Sequence, residues 1–382
     1  MKLVLFFTYG NSLTTWLDSG LLDREKLIYE EHLTQKTVSK IYWMTYGVND
    51  AEIARQLIYQ KQLNPNIQVL GMPQLFKGRI GRLLYSLIMP FYYKKILKSA
   101  DILKTNQMMG SWTAIIAGKI WKKPVVVRTG YTLTLYAKRS HYSINKIKLY
   151  QLVERFSFRH ANYGFVSSEL DKKYIISKYN VPEKIRIIYN YIDTSLFYPS
   201  EEKQFEDDRI IFIGRLEYEK NLFNLIESVV KIGLTLDIYG QGSLQKQLEA
   251  LAHKLDAKVN FMGYLPNNKI AQKLQRYRLF ILPSLYEGMP KTLLEAMACG
   301  LVCIGTNVSG IQEVIQDGIN GYLANGTGVS SITDTIYRVK NASIQEKELI
   351  KKNAIETIHN QFTLKSVWHK EYALFKSLTK KL

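Results

Sequence analysis

Cysteine is nearly absent: the 382 residues hold two, Cys299 and Cys303. A disulfide framework is thereby excluded. Their setting, at a helix end and in a buried strand, predicts packed free thiols in a reducing compartment. No histidine lies near them in the chain, which argues against a thiolate metal site. Nine prolines and 23 glycines without a repeat exclude a fibrous or low-complexity chain. Long apolar runs are missing as well. None reaches the ~18 uncharged residues of a membrane span. The opening "MKLVLFF" has one lysine and five apolar residues before Thr8, Tyr9 and Gly10, too few for a secretory leader, and reads as a first buried strand.

Acidic residues are scarce where basic ones crowd. The net charge is +19, and residues 51–150 carry seventeen Lys and Arg against Glu52 and Asp101, a local excess of fifteen. Such a face suits an anionic partner: membrane lipid, nucleic acid or an acidic glycan. Within it, "LFKGRIGRLLYSLIMPFYYKKILK" mixes Lys77, Arg79, Arg82, Lys94, Lys95 and Lys98 with Leu, Ile, Phe and Tyr. That pattern fits an interfacial helix broken at Pro90, or a core helix with solvated basic ends.

What is plentiful is apolar residues, 46% of the chain, enough for two or three cored domains at this length. Short apolar runs alternate with helical stretches: "LVLFF", "IQVL", "DILK", "VVVR" and "YGFV", then "IIFIG", "LTLDIYG", "KVNFMG", "LFILPS" and "LVCIG". Alternation of this kind predicts βαβ units and parallel sheets. The polar, acidic "NYIDTSLFYPSEEKQFEDDR" divides them, giving a first domain over 1–192, a linker over 193–208 and a second domain over 209–362. The tail, 363–382, reads as an amphipathic helix that packs back on the first domain, with Trp368, Tyr372 and Phe375 at apolar spacing.

Polar and glycine residues gather at the strand ends of the second half. Gly214, Arg215 and Lys220 follow "IIFI", and two cations at a strand exit suit a diphosphate. Gly240-Gln241-Gly242 follows "LTLDIY", with Ser243 opening a helix, and lets backbone approach a ligand. Gly263 and Pro266 end the next strand. Ser309 and Gln312 read first as a capping box. In "SLYEGMPKTLLEAMACGLVCIGT", residues 284–306, Glu287 falls on a loop and Glu295 inside a short helix entered at Pro290 and left at Gly300. A loop feeding a helix N-terminus in an α/β fold is a place for anionic ligands. A buried helix with an acid for its dipole accounts for the same residues structurally.

Taken in order, "GRLEYEKN", "IYGQGSL", "FMGYLP", "LYEGMPKTLLEAMACG", "SGIQEVI" and "DGINGYL" resemble the nucleotide-sugar half of glycosyltransferase family 4, retaining enzymes of the GT-B fold, across about residues 185–325. "IIYNYIDTSLF", with Asn190, Asp193 and Phe197, resembles that family's interdomain crossover. The resemblance implies an α/β architecture of two Rossmann-like parallel-sheet domains facing across a donor/acceptor cleft. It implies Arg215 and Lys220 on the donor diphosphate, Glu295 on the ribose hydroxyls and Glu287 on the transferred sugar. Gly288, Met289, Lys291, Thr292 and Leu293 would offer backbone N–H groups, with Gly214, Gly240 and Leu265 near the diphosphate, base and ribose. The first half departs from the family. Where many relatives carry a histidine, "VVVRTGY" has Arg128, Thr129, Gly130 and Tyr131, and Arg128 or Tyr131 becomes the acceptor-side candidate.

The implied reaction moves a sugar, with retention, from a UDP- or GDP-linked donor to a hydroxyl of a lipid-linked or polysaccharide acceptor in cell-surface glycan synthesis, such as lipopolysaccharide. No Asp-x-Asp occurs and cations already cover the phosphates, so no metal or other cofactor is expected. The expected setting is the cytoplasm, on the inner face of the plasma membrane, with residues 76–98 against anionic lipid. Two alternatives are weaker. A sugar-nucleotide epimerase needs acid/base carboxylates that the first half does not supply, and a nucleic-acid-binding protein leaves Arg215, Lys220, Glu287 and Glu295 without a purpose.

Overall fold

A computed structural model of the chain describes residues 1–140, 142–200 and 209–380. Of the expected linker, residues 201–208 lie outside the described residues. Two compact units emerge, one of Met1–Tyr189 with Trp368–Leu382, the other of Asn190–Val367.

The first unit is built on β1 (Lys2–Phe6), β2 (Lys40–Met44), β3 (Ile67–Leu70), β4 (Ile102–Thr105), β5 (Val125–Arg128), β6 (Tyr163–Val166) and β7 (Ile185–Ile187). They form one sheet in the order β3-β2-β1-β4-β5-β6-β7, every pair parallel. Parallel neighbours need crossovers, and the intervening helices supply them, so the central strands are covered on both faces. Hence Leu3, Val4, Leu5, Val126 and Val127 are fully buried despite lying next to one another.

The second unit repeats the plan with β8 (Arg209–Ile213), β9 (Thr235–Tyr239), β10 (Val259–Gly263), β11 (Leu279–Leu282), β12 (Val302–Thr306) and β13 (Tyr322–Ala324), ordered β10-β9-β8-β11-β12-β13 and again all parallel. Both units are therefore Rossmann-like. In each, strand order reverses beside the first strand, at β1/β4 and at β8/β11, and the crevice beyond the carboxyl ends there is where open α/β sheets take ligands. Both cysteines are free and buried, and burial pushes the Cys299 thiol up to about 12.

The basic apolar stretch forms two helices, Arg79–Tyr92 and Lys94–Ser99. The break expected at Pro90 falls instead at Tyr93. Pro90 stays inside the first helix, where it leaves the Ser86 carbonyl without its intrahelical N–H, and the chain breaks only three residues later. The tail helix Leu364–Thr379 sends Trp368, Glu371 and Phe375 into the first unit. There Lys104 Nζ donates to Glu371 Oε1 at 2.7 Å, and His32 Nε2 lies 3.4 Å from the same oxygen. The Trp368 indole N–H donates to His32 Nδ1 at 3.1 Å, so Nε2 carries the proton that faces Glu371. Burial opposes the carboxylate charge, but Lys104 and His32 outweigh it and hold Glu371 down at about 2.

Candidate functional site

The carboxyl ends of β8 and β11 carry the polar residues that stand out in the sequence. At the exit of β8 the chain runs Gly214, Arg215 and Leu216, then a short 3₁₀ turn, Tyr218–Lys220. Gly240, at φ 150°, lies so close that a Cβ there would stand 1.8 Å from the Gly214 carbonyl oxygen. Glycine is obligatory for that approach. Asn221 locks the turn onto its neighbours, donating from Nδ2 to the carbonyls of Pro283 at 3.0 Å and Thr327 at 2.7 Å.

Beyond β11, the loop holding Glu287 leads to the helix Lys291–Ala298. Lys220 Nζ donates to Glu287 Oε1 at 2.5 Å, and Ser284 Oγ donates to the same oxygen at 2.6 Å. Arg215 Nη2 donates to Glu219 Oε1 at 2.7 Å while its side chain stays 65% exposed. The fold thus brings Arg215, Lys220 and Glu287 to one crevice. The helix behind them has no side-chain cap at Pro290 and no acid in its first turn, so its N-terminal end remains a positive electrostatic surface. Gly288 and Met289 lie on the approach, and Asn190 Nδ2 donates to the Met289 carbonyl at 2.9 Å, tying the crossover to this loop.

Glu295 sits within the helix, 3% exposed, on the same face as Lys291 and Cys299. Thr292 lies in the first turn beside the buried Leu293, and Leu265 is half-buried after β10. Two readings from the sequence need correction. Ser309 caps no helix, because residues 308–314 run in turns; its Oγ donates to the Glu287 carbonyl at 3.4 Å and buttresses the loop. Ser243 does not open a helix, which begins at Gln245; its N–H and hydroxyl both donate to Glu217, holding that carboxyl below the usual range. Sequence reasoning missed Glu219, Ser284 and Asn221. The spacing of Glu219 four residues after Arg215 was the available signal.

The acceptor-side candidates belong to the first unit. Arg128, at the end of β5, lies 3.9 Å from Glu25 Oε2, and its N–H donates to Thr105 Oγ1 at 3.1 Å. Tyr131 is exposed on the next loop, which Gln107 and Ser167 fix through Gly130 at 2.9 and 2.8 Å.

Residues 43–196 match the family described as Glycosyltransferase Family 4, and residues 197–357 match Glycosyl transferases group 1. The chain belongs to glycosyltransferase family 4, of GT-B fold. It is 30% identical over 213 residues to an uncharacterized glycosyltransferase of Methanocaldococcus jannaschii, matching 50% of this chain and 54% of that relative. It is 27% identical over 297 residues to the Escherichia coli UDP-Gal:alpha-D-GlcNAc-diphosphoundecaprenol alpha-1,3-galactosyltransferase, matching 71% of this chain and 74% of that one. Against the first of these relatives, then, the chain spans about half the length. An Anabaena protein crystallised with UDP and glucose shares the fold at a TM-score of 0.76 and 18% identity, covering 99% of this chain and all of that one.

Proposed function

We propose that this family 4 chain is a retaining, metal-independent glycosyltransferase that moves a hexose from a UDP- or GDP-linked donor to a hydroxyl of a lipid-linked or polysaccharide acceptor in cell-surface glycan synthesis. The observation that carries the reading is the meeting of Arg215, Lys220 and Glu287 beneath an uncapped helix N-terminus at the β8/β11 switch point. A nucleotide diphosphate has the charge and shape for that crevice. Arg215 offers a fork and Lys220 a point charge, both suited to the growing charge of a departing diphosphate. Drawing Lys220 onto phosphate releases Glu287 to accept a sugar hydroxyl. In a retaining transfer the leaving phosphate oxygen takes the acceptor proton on its own face, so the protein supplies orientation and charge stabilisation. The galactosyltransferase relative uses, by its name, a UDP-sugar and a diphosphoundecaprenol-linked sugar, which supports both substrate classes.

The same reading includes docking of the first unit on an anionic inner membrane face. Among the described residues no helix is long and apolar enough to cross a membrane. Helix Arg79–Tyr92 instead exposes Ile80, Leu83, Leu84, Leu87, Ile88 and Phe91, with Lys94, Lys95 and Lys98 exposed just beyond. An apolar stripe beside cations suits a bilayer interface, whereas a duplex would leave the stripe in water. Screening UDP- and GDP-sugars for thermal stabilisation and slow hydrolysis tests the enzyme reading. At least one should stabilise the protein and release its sugar as the anomer of the donor; failure of every nucleotide to bind would overturn it.

A further inference from the structure

The amino ends of the second unit's strands carry a group of charges remote from the crevice at their carboxyl ends. Arg209, Leu279 and Val302 open β8, β11 and β12, and they line the smaller or the rim of two adjoining cavities of about 320 and 430 Å³. The two share Arg278, Glu348 and Lys351 along a common wall. Each has the volume of a small-molecule site.

Their linings differ in a way that sorts a ligand's parts. The smaller cavity is floored by Leu234, Val302, Ile336 and Val339, all buried, and Ile344 stands 77% exposed at its lip. Hydrocarbon suits that floor. The larger adds Ser200, Gln275 and Lys352 to the shared wall, so polar groups suit it.

Six cations, Arg209, Arg278, Lys340, Lys347, Lys351 and Lys352, line the pair against one acid, Glu348. Local bonds use several of them. Arg209 Nη1 lies 3.2 Å from Asp237 Oδ2, Lys351 Nζ lies 2.8 Å from Glu348 Oε1, and Lys347 Nζ donates to the Lys340 carbonyl at 3.1 Å. Those bonds fix the cations in place without removing their charge: with Asp237 counted beside Glu348, an excess of four positive charges remains. Helix Ile344–Gln361 does nothing to offset it, because Lys347 is its fourth residue and sits at the positive end of its dipole. Cations gathered over a concave surface with apolar walls focus their field into it. An anion that also brings hydrocarbon answers both features.

We propose that these two cavities form a binding site for a single-chain amphiphile with a phosphate head, taken as a monomer from water. Arg278 and Lys351, on the shared wall, hold the phosphate, and the chain lies on the floor between helices Val329–Asn341 and Ile344–Gln361. The site is independent of the nucleotide-sugar reading.

The test titrates n-octyl phosphate, below its micelle concentration, into the full chain held in saturating UDP, with binding read by calorimetry. Saturable binding should be at least tenfold tighter than for n-butyl phosphate, since each buried methylene is worth about fourfold, and at least tenfold tighter than for octanol. Arg278→Gln with Lys351→Gln should weaken it at least tenfold and melt within 2 °C of the parent, whereas Gln at Lys94, Lys95 and Lys98 should leave it unchanged. Flotation with anionic vesicles should be the same in the Arg278→Gln, Lys351→Gln chain as in the parent. No saturable binding by the parent, or equal affinity for octanol or butyl phosphate, overturns the site. Binding that survives the paired change, or that disappears with the three first-unit lysines, overturns its location. Flotation lost with Arg278 and Lys351 makes this face a bilayer contact and overturns the monomeric ligand.

Discussion

Glu371→Gln should be among the most damaging single changes in the first unit. The carboxylate lies 2.7 Å from Lys104 Nζ, and both side chains are 2% exposed. Glutamine keeps the volume but leaves the ammonium buried without its counter-charge. Removing one partner of a buried pair costs about 3–5 kcal/mol. In a unit of this size each kcal/mol shifts the midpoint by about 2–4 °C, so a drop of roughly 6–20 °C is expected in thermal melts followed by circular dichroism. Acid gives an independent check. The folded carboxyl titrates at about 2, below the ~4.3 of a free glutamate. Its contribution, about 3 kcal/mol, is therefore complete above ~4.3 and lost as pH falls toward 2. The parent's midpoint should fall more steeply than the mutant's in that window. Lys104→Met with Glu371→Leu, which removes both charges, should recover most of the loss. A Glu371→Gln melt within 2 °C of the parent would refute the account, as would a double variant less stable than the single one.

Arg215→Ala should lower kcat by roughly 10²–10³ in a chain that still folds, because the residue is exposed at a strand exit; near-normal turnover removes it from the diphosphate. Glu287→Gln should weaken the intact sugar donor far more than the bare nucleotide diphosphate, while Glu295→Gln should weaken both; equal loss of bare nucleotide in both mutants, read by calorimetry, contradicts that division. Glu in place of Lys94, Lys95 and Lys98 should release the protein from anionic vesicles in a flotation assay, each cation near the surface being worth about 1 kcal/mol. Unchanged flotation, or no binding by the parent at low salt, returns the exposed helix to a purely solvated role.

Ten of the strands correspond to the apolar runs quoted from the sequence, and central ones such as β1, β8 and β12 read most clearly, because parallel strands covered on both faces are predominantly apolar. The three that escaped have physical reasons. β2, "KIYWM", has a half-buried alternation, and β7 and β13 are three-residue edge strands. Within the second unit's crevice, Gly214 marks the strand exit that carries Arg215, Gly288 and Pro290 mark the loop that carries Glu287, and Lys220 stands out by its place just before a helix. Their partners were less legible: Ser284 earns its place only once Thr306 Oγ1 has donated to its carbonyl at 2.5 Å and fixed the loop. Least legible were the groups joined by tertiary packing. His32 and Glu371 meet across 339 residues of sequence, and an acid in an amphipathic tail reads as solvent-facing until Lys104 is found beneath it. Arg82 likewise reads as one charge in a basic run until the fold lays it over Gly10.

The tail helix also sets an order of events during synthesis. Lys104 and His32 are made early, but the carboxylate and indole that satisfy them arrive only after every residue from Asn190 to Val367 has been made. At ribosomal speeds that interval is roughly 10–35 s, long enough for the second unit's own sheet to form. The unit begun first is thus finished last. Until its closing helix arrives, the apolar face around Phe375's seat stays open to water, and a ribosome stalled short of Glu371 would hold a completed second unit behind an unfinished first one.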